Sequence, residues 1–97
     1  MVHYTDGDEK LICAFSHRLD SVNCTKWEQG LYEKVRNINK PVVFDMTEVN
    51  YIASAFLRIC IAVSKEIGAE NLTVIKVHDN VMKVFRLAGL DRQLKIK

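Results

Sequence analysis

A chain of 97 residues with 48% hydrophobic and 27% charged residues has the size and balance of one globular domain, since domains cluster at about 100–150 residues. Its 14 basic and 12 acidic residues leave a net charge of +2 and are interspersed, which argues against a nucleic-acid binder with Lys and Arg gathered on one face. Arg86, Arg92, Lys95 and Lys97 come nearest to a cluster and read as a solvated face.

Taken in order, Val2–Tyr4 and Leu11–Phe15 are short strand candidates around TDGDEK, whose Asp-Gly step is a hairpin signal. Ser16–Ser21 (SHRLDS) reads as a loop in which Asp20 or Ser21 caps the following helix. From about Val22 to Asn37, Trp27, Leu31, Val35 and Ile38 recur at helical spacing, and Pro41 prevents continuation. Val42, Val43 and Phe44 form an apolar run of the kind found in a central strand, which Asp45 is expected to close.

A second helix is expected over Ser54–Ile67, apolar on most sides through Phe56, Ile59, Cys60, Val63 and Ile67, with Gly68 as its C-terminal cap. Leu72–Val77 is a β-branched strand candidate, Asp79 or Asn80 can cap a short helix ending at Gly89, and Leu94–Ile96 supplies a last strand. The order is β-β-α-β-α-β-α-β: an α/β fold on a mixed sheet of four to five strands with about three helices, without repeat or linker, so that residues 1–97 are expected to form one domain.

Chemistry-bearing constellations are sparse. The sequence lacks G-x-x-x-x-G-K-[ST], G-x-G-x-x-G and G-x-S-x-G, so phosphate loops and nucleophile elbows are absent, and no cofactor is expected. Cys13, Cys24 and Cys60 are odd in number, widely spaced and set in apolar contexts, as befits buried thiols of a reducing compartment. His3, His17 and His78 are isolated, and none is assigned a metal. Asp20 and Asp45 follow apolar segments, where a cap and a strand end explain them better than an acid/base pair does.

Asp6, Asp8 and Glu9 occupy the place of a secretory apolar run, and the longest uncharged stretch, Val49–Leu57, falls far short of the ~20 residues that span a bilayer. A cytoplasmic protein, not embedded in a membrane, is expected. Ser54, at the corner between VVFDMTEVNYIA and the second helix, then holds the functional question. Its hydroxyl reads most simply as a helix cap, and it is also where an added phosphate would meet free N–H groups.

These segments resemble the STAS domain family, named for sulfate transporters and anti-sigma factor antagonists. Its central motif, a strand and a corner followed by D-S-S-G-L, corresponds to FDMTEVNYI and Ala53-Ser54-Ala55-Phe56-Leu57. FSHRLD resembles the family's L-T-G-E-L-D, and VHDNVMKVFRLAGLDRQLKI resembles its strand, S-P-x-V-x-x-x-L and a-G-L segment. The resemblance implies a non-catalytic regulator that works by partner switching. An anti-sigma factor or GHKL-type serine kinase binds the unmodified domain, the kinase phosphorylates Ser54, and a phosphatase reverses the step.

By position, Ser54 is the implied phospho-acceptor, and Asp20, Ala53, Ala55, Phe56 and Leu57 are the implied partner-binding residues. Two residues depart from the motif: Ala53 stands in place of Asp, and Phe56 in place of Gly. An exposed Phe56 would anchor a partner and a buried one would fill the core. Two alternatives accompany this reading. One is a constitutive, unphosphorylated STAS module, such as a small cytoplasmic subunit of a transporter complex; the other is a nucleotide- or lipid-binding STAS domain.

Overall fold

The computed structural model describes residues Met1–Lys97 and contains the expected order: β1 (Val2–Asp6), β2 (Leu11–Leu19), α1 (Ser21–Arg36), β3 (Val42–Ile52), α2 (Ser54–Ile67), β4 (Leu72–Ile75), α3 (Asp79–Leu87) and β5 (Lys95–Ile96). Five strands lie side by side in chain order, β1 antiparallel to β2 and the other neighbours parallel. The opening hairpin is closed at Gly7 N–H, which donates to Lys10 O at 3.0 Å. Three successive crossovers that step the same way across a sheet, each right-handed, put their helices on one face.

The burial pattern agrees with this layering. Along β2, Leu11, Cys13 and Phe15 are 0–1% exposed while Ile12 and Ala14 are half-buried, so one sheet face is covered and the other meets solvent. A core of 23 buried residues fills the covered side. Phe15, Phe44, Phe56 and Trp27 meet at its centre, with Phe15 ring centroids 5.0 Å from Phe44 and 5.2 Å from both Phe56 and Trp27. The tilted and edge-on geometries are those that aromatic quadrupoles favour. A Cβ built at Gly30 would meet nothing within 4 Å, so that glycine does not serve close packing.

The structure corrects four sequence expectations. SHRL continues β2 instead of forming a loop, with His17 in the left-handed region at φ 64. Asp45 does not close β3, which runs on to Ile52; β4 ends early, at Ile75, where Lys76 turns left-handed at φ 57. The N-terminal cap position of α3 falls on His78, one residue before Asp79.

The extension of β3 escapes period-2 reasoning because the strand bulges twice. Ala14 pairs with Asp45 and Ser16 with Glu48; His17 pairs with Val49 and Arg18 with Tyr51, so each irregularity places one extra residue on β3. The buried positions accordingly step by two, then three, then three: Phe44, Met46, Val49, Ile52. At the first bulge the Asp45 carboxylate accepts from Thr47 N and Thr47 Oγ1. Burial pushes the Asp45 carboxyl up, but these two bonds and nearby Lys76 outweigh it and hold the carboxyl below its usual range.

Candidate functional site

The carboxyl ends of β2, β3 and β4 lead directly into α1, α2 and α3, so the three helix starts gather at one edge of the sheet. Leu19 pairs with Ile52, and Ala53 N donates to Leu19 O at 3.0 Å, which joins the first two corners. Asp20 caps α1 as expected, accepting from Asn23 N at 2.9 Å. Such a cap contributes about 1 kcal/mol.

At the second corner the simplest reading of Ser54 does not hold. The cap position belongs to Ala53, which has no side-chain acceptor, and Ser54 is the first helical residue. Its side chain is exposed. Phe56 sets this orientation: two residues on a helix are separated by about 200°, so burying Phe56 completely turns Ser54 outward.

The same burial decides between the two roles considered for Phe56. At 0% exposure the ring fills the core, packed against Phe15, Phe44 and Trp27, and does not anchor a partner. Ala55, 8% exposed, is likewise beneath the surface. Of the expected contact residues, Ala53, Leu57 and Asp20 are half-buried and reach the surface only in part.

Sequence reasoning overlooked the side chains that form most of this edge. Tyr51 is 41% exposed, and the Arg18 guanidinium lies 4.1 Å above its ring, with Arg18 Nε 3.7 Å from Asp20 Oδ2. A cation over an exposed aromatic face is worth about 0.5–1 kcal/mol. At the third corner, His78 Nε2 lies 2.7 Å from Thr47 O and Asn80 Nδ2 donates to Asn50 O at 2.8 Å. A carbonyl only accepts, so His78 carries its proton on Nε2.

Those two carbonyls belong to the bulged stretch of β3, where β4 no longer runs alongside. Side chains from the start of α3 thus replace the missing strand and cover an edge that would otherwise stay unpaired. The available signal was position: each of these residues adjoins a helix start that follows a strand.

The three cysteines are not poised as nucleophiles or metal ligands. Burial pushes the Cys13 thiol up to about 12 and raises the Cys60 thiol strongly; Cys24 rises to about 11 through burial, aided by the carboxylates of Glu28 and Asp20. All three stay protonated near neutral pH and are free and buried, which withholds the thiolate a nucleophile or a zinc site requires. No group of three or more His, Cys, Asp or Glu side chains is arranged to hold a metal ion. None of the surface clefts is lined by Ser54, although Arg18 lines one together with Met1, Ser16, His17 and Asn23.

A family model described as the STAS domain matches residues 2–97. The chain belongs to the STAS family. Solved structures share the fold of this STAS domain. An anti-sigma factor antagonist from Mycobacterium paratuberculosis superimposes with a TM-score of 0.88 at 23% identity, over 99% of this chain and 83% of that one. A STAS-domain protein from Planctomyces limnophilus gives 0.89 at 14% identity, covering 98% and 87%. The phosphorylated form of SpoIIAA, a Bacillus cell fate determinant, gives 0.74 at 11% identity, covering 100% and 91%. No curated protein sequence matches the chain. No helix is long and apolar enough to cross a membrane.

Proposed function

We propose that this STAS domain is a non-catalytic, cytoplasmic regulator that switches partners through its strand-end edge, with Ser54 as the phospho-acceptor. The carrying observation is the exposure of Ser54 on the first turn of a helix whose position is fixed from below by buried Phe56. An outward hydroxyl on a helix anchored in the core is accessible to a docking kinase. The fold shared with SpoIIAA, which occurs in a phosphorylated form, supports the same reading.

Partner binding involves the surface formed by Asp20, Ala53, Leu57, Arg18 and Tyr51, and the partner is an anti-sigma factor or a GHKL-type serine kinase. In the modification, Ser54 Oγ attacks the γ-phosphorus of a nucleoside triphosphate. An O–P bond forms, the bond to the departing nucleoside diphosphate breaks, and the hydroxyl proton passes to a base of the kinase. Hydrolysis by a phosphatase returns the serine and inorganic phosphate. A phosphate here adds about −1.5 to −2 charges to the edge, enough to repel a partner that fits the neutral surface.

The test is incubation with the cognate kinase and ATP followed by mass mapping, with phosphate expected on Ser54 and absent from Ser54→Ala. Modification elsewhere, or none, sinks the acceptor role. One observation favours a second reading: Ala53 stands where the family motif has Asp, which removes a carboxylate beside the hydroxyl. A constitutive binding module, including a subunit of a transporter complex, would keep its affinity for the partner in both Ser54→Ala and Ser54→Asp.

A further inference from the structure

Ser54 and Arg58 stand four residues apart on α2, and both are exposed. Residues at that spacing share a helix face with about 5–6 Å between their Cβ atoms. Helical side chains lean toward the N-terminus, so the long Arg58 chain is able to reach back over the turn that carries Ser54. Arg58 forms none of the ion pairs in the chain, which join Arg18 to Asp20, Arg36 to Glu66 and Lys40 to Asp6.

Arg18, the other arginine at this edge, is already committed to Tyr51 and Asp20. Arg58 faces α1 across the helix seam, where its charge acts on Cys24 and Tyr32, the neighbours of Glu28. Glu28, hydrogen-bonded to Tyr32 at 2.7 Å, and Asp20 are therefore the acidic groups on the facing helix with which any new anion would compete.

We propose that Arg58 is the internal counter-ion of a phosphate on Ser54, closing an ion pair along α2 that is absent from the unmodified chain. The proposal rests on the reading of Ser54 as phospho-acceptor. A phosphoserine brings three strong acceptor oxygens, and the planar guanidinium presents forked donors that match them. Pairing draws the phosphate back along the helix and toward the α1–α2 seam. The modified edge then differs from the unmodified one in shape as well as in charge, because both side chains become ordered where neither was held.

The experiment uses the full chain with phosphoserine installed at position 54 during translation, so that no kinase is needed, and follows the second phosphate ionisation by phosphorus NMR. A nearby guanidinium favours the dianion, so the midpoint should lie below that of a phosphoserine peptide. Arg58→Ala should raise it by about half a unit or more, whereas Arg58→Lys should keep part of the shift. Arg18→Ala should leave it in place.

An unchanged midpoint in Arg58→Ala, or an equal response to Arg18→Ala, overturns the pairing; circular dichroism establishes that each variant is folded. The outcome is separable from that of the kinase assay. A phosphate that responds to Arg58 in a chain no kinase modifies upholds the pairing and removes the acceptor role. A kinase-added phosphate indifferent to Arg58 removes the pairing alone.

Discussion

The two halves of β3 share one strand and are built to different ends. From Val42 to Asp45 it pairs with β2 and β4 in unbroken register, and Val42 and Phe44 are fully buried. From Met46 to Ile52 it pairs with β2 alone, bulges twice and leaves Thr47, Glu48, Asn50 and Tyr51 exposed. The first half secures the core, and the second turns the same backbone into a platform beside Ser54. The bulges make this compatible with packing, since Val49 and Ile52 still reach the core while Tyr51 points out to Arg18.

The largest expected effect is that of Phe56→Ala, which removes the ring that seats the Ser54 corner on the core. A loss of about 3–5 kcal/mol in urea unfolding is expected, as for other buried aromatics. A loss below about 0.5 kcal/mol, the range of surface substitutions, would mean that the ring is not the support of this corner.

Alkaline titration probes the core beneath the first half and the first turn of α1 at once, because Cys13 pairs with Phe44 and Cys24 is buried at the start of α1. Both thiols rise from 9.0, to about 12 and about 11 respectively. The folded state therefore keeps protons that the unfolded chain loses. Stability is complete below about pH 9 and falls as pH rises toward the raised values, by up to about 1.4 kcal/mol per unit for each thiol. Native thiols should also resist a disulfide reagent at neutral pH and react fully after denaturation. Flat stability between pH 9 and 11 would contradict the burial of these groups.

A smaller effect distinguishes the halves directly. Asn80→Ala deletes a bond to the bulged carbonyl of Asn50 and should lower stability by about 1 kcal/mol, with NMR shift changes confined to the platform. Changes spreading through Val42–Asp45 would show that the halves are not independent. The smallest expected effect is Ser54→Ala, within about 0.5 kcal/mol of the parent, because Ser54 stands after the cap position and Ala53 fills it. A loss of 1 kcal/mol or more, typical of a deleted cap, would restore the capping role.

Much of this architecture is legible in the sequence where the periodicity is clean. The Asp-Gly hairpin, the α1 and α2 stripes, the Asp20 cap and the strand-helix alternation follow from local patterns. The apolar stripe of α2 contained Phe56, but the sequence left its exposure open, and the structure places the ring inside and Ser54 outside. The platform was not legible: spacings of two, three and three among buried residues of β3 match neither a strand nor a helix. That pattern is created by parallel pairing with β2, a non-local contact. Position beside a helix start marks Arg18, Tyr51, His78 and Asn80, but their pairings have no local sequence signal, because each joins residues far apart in the chain.

The side-chain bonds from His78 and Asn80 have a consequence for how the platform breathes. On the side that β4 does not reach, the carbonyls of Thr47 and Asn50 are held by two isolated side-chain bonds, each exposed to water and able to break by itself. Amide hydrogens of Thr47–Tyr51, in a stretch that pairs with β2 alone, should exchange before those of Val42–Asp45, which lies between β2 and β4. The open side of this half of β3 is thus able to loosen and re-form many times within the lifetime of a single folded molecule.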